Sequence, residues 1–143
     1  SYTKDVDGQR ITDAAKVCRL FGEQLLRAKG SWIVEDFEKA WVKLVGDLQP
    51  TKDMLKGLYL METAPSGNIL LKYYPARKLP ANPEKRMEVL FNVRDKWQYE
   101  EMSNFIADIG KNYGSADALI VKYCRISTGS DGFRTVTSKL VQN

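Results

Sequence analysis

The stretch SWIVEDFEKAWVKLVG, Ser31 to Gly46, returns in altered form about 65 residues later as KWQYEEMSNFIADIG, Lys96 to Gly110. Each version carries a Trp, a pair of acids three residues on (Glu35 and Asp36; Glu100 and Glu101), an apolar helical stripe and a closing glycine. A period of this length means that one supersecondary unit is built twice, so any fold for the chain must divide into two like parts. At 143 residues and 43% hydrophobic, the chain can fill two small cores.

The repeat extends on both sides of the quoted segments. Upstream in the first copy, Val17, Leu20, Phe21, Leu25 and Leu26 recur at helical spacing, and Gly30 supplies a stop. Upstream in the second, Asn82 stands as an N-cap before Pro83, with Met87, Leu90 and Phe91 as the buried stripe. The quoted stretches give second helices, with Phe37, Trp41 and Leu44 on one face of the first and Met102, Phe105, Ile106 and Ile109 on one face of the other. Third helices follow from PTKDMLKGLYLME and GSADALIVKYCRI, with Thr51 and Ser115 as caps. Turn residues then bound short extended pieces in APSGNILLKYY and STGSDGFRTVT, and each predicts a β-hairpin. Trp32 and Trp97 are expected to be packing staples for the second helices.

Three helices followed by a hairpin is the order of a winged helix. The expected class is mainly α with small β-hairpins (α+β), as tandem winged-helix domains: 1–75, a proline-containing connector 76–82, and 83–143. The first residue is Ser1 rather than Met, which predicts a processed chain or a piece of a larger one.

There is no histidine, which removes the usual general base and the commonest zinc ligand. Cys18 and Cys124 are far apart within apolar helical patterns and are expected to be buried reduced thiols. No nucleotide-binding loop, cofactor box or zinc spacing is present, and no apolar run is long enough to span a bilayer. The expectation is a non-enzyme with no cofactor, no metal and no membrane partner.

Charge points to an acidic partner. Residues 1–75 hold eleven Lys and Arg against ten Asp and Glu, and the remainder holds eleven against eight. From Lys111 onward five basic residues meet only Asp117 and Asp131. In a winged helix that reads DNA, the third helix and the wing meet the duplex, so the candidate phosphate contacts are Lys111, Lys122, Arg125, Arg134 and Lys139. Lys52, Lys56, Lys72, Arg77 and Lys78 are candidates for secondary DNA or partner contacts. No Asn or Gln lies within SADALIVKYCR, so little base readout is expected. The alternative is a protein-interaction scaffold that touches no DNA, which the largely apolar third-helix segment of the first copy favours.

The segments FEKAW, MLKGLYL, LPANPEKRMEVLFNVRDKWQYEEMSNFIADI and ALIVKYCR, in this order from about Phe37 to the last wing, resemble the "defective in sister chromatid cohesion" family. The resemblance implies a nuclear, non-catalytic subunit of an alternative replication factor C clamp loader, acting in DNA replication and sister chromatid cohesion. It implies that the C-terminal winged helices touch single- or double-stranded DNA and DNA polymerase epsilon. Other clamp-loader subunits would be partners, and the sliding clamp an indirect one. Ile33 and Gln98 depart from the family pattern, which favours Thr after the Trp as a helix cap.

Overall fold

The computed structural model describes the backbone of residues 2–139 and the side chains from residue 13 onward. It divides between Tyr74 and Pro75 into two compact units. The first runs α1 (Tyr2–Lys29), β1 (Ser31–Ile33), α2 (Val34–Val45), two 3-10 turns (Gly46–Leu48 and Lys52–Leu55), β2 (Tyr59–Thr63) and β3 (Ile69–Tyr73). The second opens on a 3-10 turn (Ala76–Lys78). It continues through α3 (Pro83–Val93), β4 (Lys96–Gln98), α4 (Tyr99–Asn104), α5 (Ala107–Gly110), a 3-10 turn (Lys111–Tyr113), α6 (Ala116–Tyr123), β5 (Cys124–Thr128) and β6 (Arg134–Ser138). The fold is α+β, with a small three-stranded antiparallel sheet in each unit.

The repeat is kept to the residue. Each strand of the second unit begins and ends 65 positions after its counterpart, and the strand orders β1-β3-β2 and β4-β6-β5 correspond. In the first sheet Trp32 and Met61 both oppose Leu71; in the second, Trp97 and Ile126 both oppose Val136. Each Trp is the staple that the sequence predicts. The Trp32 indole donates to the Leu25 carbonyl at 2.7 Å, and the Trp97 indole to the Leu90 carbonyl at 3.1 Å.

Several sequence expectations are corrected. In the first unit the third helix is only the 3-10 turn Lys52–Leu55, and Tyr59 opens a strand. Thr51 makes no side-chain cap there, whereas Ser115 Oγ accepts from the Ala118 N–H at 3.0 Å and supports a full α-helix. Gly57, with φ at +83°, turns the chain from the 3-10 segment into β2. On α1 the buried stripe passes through Cys18 and Leu26, leaving Val17 and Leu20 exposed. On α2 it passes through Val34, Phe37, Trp41 and Val45, with Leu44 half exposed. The second-copy helix is interrupted between Asn104 and Ala107. The stripes Met87, Leu90, Phe91 and Met102, Phe105, Ile106, Ile109 are buried as expected, and the Asn82 side chain accepts from the Lys85 N–H at 3.0 Å.

Two glycines are required by close approach. A Cβ on Gly22 would lie 2.6 Å from Leu55 Cδ2 and 3.1 Å from the Trp41 indole nitrogen. The second unit has Met87 and Ile106 at these places, so a small residue facing a large one is exchanged for two of middle size. A Cβ on Gly110 would lie 2.5 Å from the Ala116 backbone nitrogen, which cannot swing aside as a leucine methyl can. Gly110→Ala is therefore expected to cost more than about 2 kcal/mol, and Gly22→Ala about 1–2 kcal/mol. Urea unfolding of the two variants beside the parent chain checks the order.

Candidate nucleic-acid interface

Ser115 starts α6, Leu119 and Ile120 bury its inner face, and Lys122 lies exposed in its last turn. The helix ends at Tyr123, so Arg125 belongs to β5 and not to the third helix as the sequence suggested. Lys139, just past β6, closes the junction. Its backbone N–H donates to the Tyr123 carbonyl at 3.0 Å and its Nζ to the Val121 carbonyl at 2.9 Å, a favourable seat for a cation at a helix C-terminus. Lys122 Nζ sits 5.3 Å from the Tyr123 ring centre. Three of the five candidate cations thus meet where α6 runs into the sheet. Lys111 stands exposed in the 3-10 turn ahead of α6.

Arg134 is placed elsewhere. It pairs with Thr128 at the far end of β6, its guanidinium lies 3.8 Å from the Tyr99 ring centre, and its Nη2 is 3.0 Å from Glu100 Oε1. The Tyr99 hydroxyl donates to Asp117, so one network joins β6 to the starts of α4 and α6. Arg134 shares the strand face of buried Val136, whereas Arg125, opposite Thr137, is on the other face. Sequence proximity grouped Arg134 with Lys139; the strand separates them.

The outer face of this sheet holds a cation the sequence analysis did not select. Lys96, Thr137 and Arg125 form one cross-strand row, and Gln98, Thr135 and Ser127 form the next. Among the described residues no carboxylate pairs with Lys96 or Arg125. A groove of about 370 Å³ runs along this face, lined by Lys96, Gln98, Ser127, Thr135 and the β5–β6 loop. The missed signal was the alternation in Lys-Trp-Gln: a buried Trp97 in an extended segment turns Lys96 and Gln98 outward.

Of the secondary candidates all but Lys72 are engaged by described neighbours. Lys52 lies 4.0 Å from Glu38 and Lys56 4.0 Å from Asp53. Lys72 is exposed on β3, opposite Ser31 and Leu60. Arg77 and Lys78 occupy the 3-10 turn Ala76–Lys78 and each has an interaction of its own. Cys18 and Cys124 are both buried and unbonded to each other. Among the described residues no cluster could hold a metal ion, and no helix is long and apolar enough to cross a membrane.

Comparison with known proteins places these features in context. Residues 1–106 match the family model for the sister chromatid cohesion protein Dcc1, so the match begins ahead of Phe37, where the sequence resemblance was first drawn. The chain is 32% identical over 130 residues to sister chromatid cohesion protein DCC1 of Mus musculus, covering 89% of this chain and 32% of that protein. It is 30% identical to the Homo sapiens protein of that name, with the same coverage. It is 28% identical over 133 residues to the probable sister chromatid cohesion protein DCC1 of Dictyostelium discoideum, covering 89% of this chain and 35% of that protein. The chain spans about a third of the length of these curated relatives.

The buried thiol and phenol around α6 give this unit an alkaline limit. Burial, with the bond to Asp117 added, pushes Tyr99 up to about 12; burial, partly offset by Lys139, pushes Cys124 up to about 11. Both folded values lie above the ordinary 10.0 and 9.0, so the folded state holds protons that the unfolded state has lost. This contribution is whole below pH 9 and declines as pH rises toward 12. Denaturant unfolding across that window should show falling stability, with a shallower fall in Tyr99→Phe and in Cys124→Ala.

Proposed function

The chain belongs to the sister chromatid cohesion protein Dcc1 family, and from that premise we propose that it serves sister chromatid cohesion as a non-catalytic, DNA-binding tandem winged-helix module. In each unit a helix, a short strand, a second helix, a helical turn or helix and a hairpin follow in the winged-helix order, with the short strand pairing beside the hairpin. On this reading α6 is the third helix of the second unit and the β5–β6 hairpin its wing.

One observation carries the DNA contact. At the places where the second unit has Lys111, Lys122, Arg125, Arg134 and Lys139, the first has Gly46, Gly57, Leu60, Ile69 and Tyr74; Lys96 stands against Ser31. At these places only the second copy carries cations, while the first has its own exposed Lys72 where the second has Thr137. Lys122, Arg125 and Lys139, with Lys96 beside them, form the phosphate-contacting surface, and Arg134 acts chiefly to seat the wing on α4. Binding is set by phosphates more than by base edges.

The first unit has Ile33, Leu70 and Leu60 where the second has Gln98, Thr135 and Arg125; Leu60 is buried, Ile33 and Leu70 are half-buried, and exposed Lys72 and Glu62 share the face. By the family resemblance, the partners are other subunits of an alternative clamp loader and DNA polymerase epsilon in the nucleus, with the sliding clamp reached indirectly.

Fluorescence anisotropy with single-stranded, duplex and primer–template DNA tests the reading. With four phosphate contacts, affinity should fall about 50- to 150-fold between 50 and 200 mM salt. Lys122→Glu combined with Arg125→Glu should remove most binding while circular dichroism stays unchanged. Absence of binding to all three DNAs would leave protein docking as the function of both units.

A further inference from the structure

We propose that the groove on the outer face of the β4-β6-β5 sheet takes one unstacked base of a single-stranded nucleic acid, the base lying on Phe133 and its flanking phosphates on Lys96 and Arg125. The proposal rests on the DNA-binding reading above and adds the form of nucleic acid and the subsite.

Phe133 is 69% exposed at the rim of the groove. Its loop is nonetheless tied down. The Phe133 N–H donates to Asp131 Oδ1 at 3.0 Å, the Gly129 N–H to the Phe133 carbonyl at 2.9 Å, and the Gly132 N–H to the Gly129 carbonyl at 3.0 Å. Gly132, with φ at +87°, completes the turn. An exposed aromatic ring on an ordered support is a stacking platform that gives up little conformational freedom when a flat partner arrives. By alternation Phe133 lies on the strand face of Thr135 and Thr137, which is the face of the groove.

The walls select the partner. Gln98, Ser127, Thr128 and Thr135 offer amide and hydroxyl groups, which suit the hydrogen-bonding edge of a base better than an apolar side chain. Charge then sets direction. Asp131 is at the loop end beside Phe133, where it repels phosphate, whereas Lys96 and Arg125 flank Thr137 at the opposite end. A nucleotide therefore enters with its base toward Phe133 and its backbone toward the cations. The bases of a duplex are stacked within the helix and cannot use this arrangement, so duplex DNA gains only the phosphate contacts.

The test compares the full chain with Phe133→Ala, Phe133→Trp and Lys96→Glu against a single-stranded oligonucleotide and a duplex. A copy of the single strand in which all bases are replaced by abasic sites serves as the third probe. Phe133→Ala should weaken single-strand binding about 5- to 100-fold, restore on substitution by Trp, and leave duplex and abasic binding within about twofold. Lys96→Glu should weaken all three. An unchanged single-strand affinity in Phe133→Ala, or an equal loss on all three probes, overturns the stacking subsite while DNA binding itself stands. If the parent chain binds none of the probes, or a polyglutamate peptide of equal charge displaces the single strand as well as unlabelled single strand does, both the subsite and the DNA-binding reading fall.

Discussion

In each unit an indole N–H reaches back seven residues to a carbonyl in the last turn of the preceding helix, Trp32 to Leu25 and Trp97 to Leu90. The same two residues are the centres of the three-residue strands β1 and β4. One side chain therefore fixes the helix to the strand, while that strand's backbone fixes the hairpin. The dependence is strong because a two-stranded hairpin is marginal in water and a three-residue strand adds little by itself. Anchored at the indole, the short strand becomes the third strand of a sheet, and Leu71 or Val136 opposite it is fully buried. The 65-residue identity of strand bounds is the outcome of building this joint twice.

Around the shared joint the copies pack differently, and a buried charge goes with one divergence. Arg86 is 2% exposed where the first unit has Phe21. Its guanidinium donates to the carbonyls of Pro80 at 2.8 Å, Phe105 at 2.9 Å and Leu79 at 3.3 Å, and meets Asp108 at 2.5 Å. An interior arginine needs acceptors on its whole fork. The Phe105 carbonyl can serve because the helix ladder is interrupted there, and the interruption separates α4 from α5. Trp97 then stacks edge-on with Phe105 at 5.9 Å, whereas Trp32 meets Phe37 at 5.8 Å in the uninterrupted α2.

The period, the α+β class, the two staples and most of the buried stripes were legible because each depends on local spacing. The rest is hidden where one residue serves two patterns. Tyr59 continues a helical i, i+4 spacing from Leu55, yet Gly57 at positive φ ends the turn, and pairing with Tyr73 claims Tyr59 for a strand. Val17 and Leu20 fit a helical stripe as well as Cys18 does, and only the position of Trp41, whose indole donates to the Cys18 carbonyl at 2.8 Å, decides which side faces inward. A three-residue strand is too short to announce its alternation, which hides Lys96. Sequence proximity groups Arg134 with Lys139, but strand faces and the Tyr99 ring are properties of the assembled sheet.

Duplication explains how the candidate site could arise without disturbing the fold. On the second sheet Lys96, Arg125 and Thr137 are exposed and can change with little cost to packing, whereas Leu60, at the place of Arg125 in the first, is buried. Along the first sheet the face has Ser31, Lys72 and Leu60 in one row and Ile33, Leu70 and Glu62 in the next. Along the second, the same rows are Lys96, Thr137 and Arg125, then Gln98, Thr135 and Ser127. The inner positions remain apolar in both, Trp32 and Leu71 against Trp97 and Val136. One backbone thus supports a buried leucine, Leu60, in one copy and the exposed Arg125 of a cationic, hydroxyl-rich surface in the other. The two sheets therefore differ in what they expose on the side away from Trp32 and Trp97.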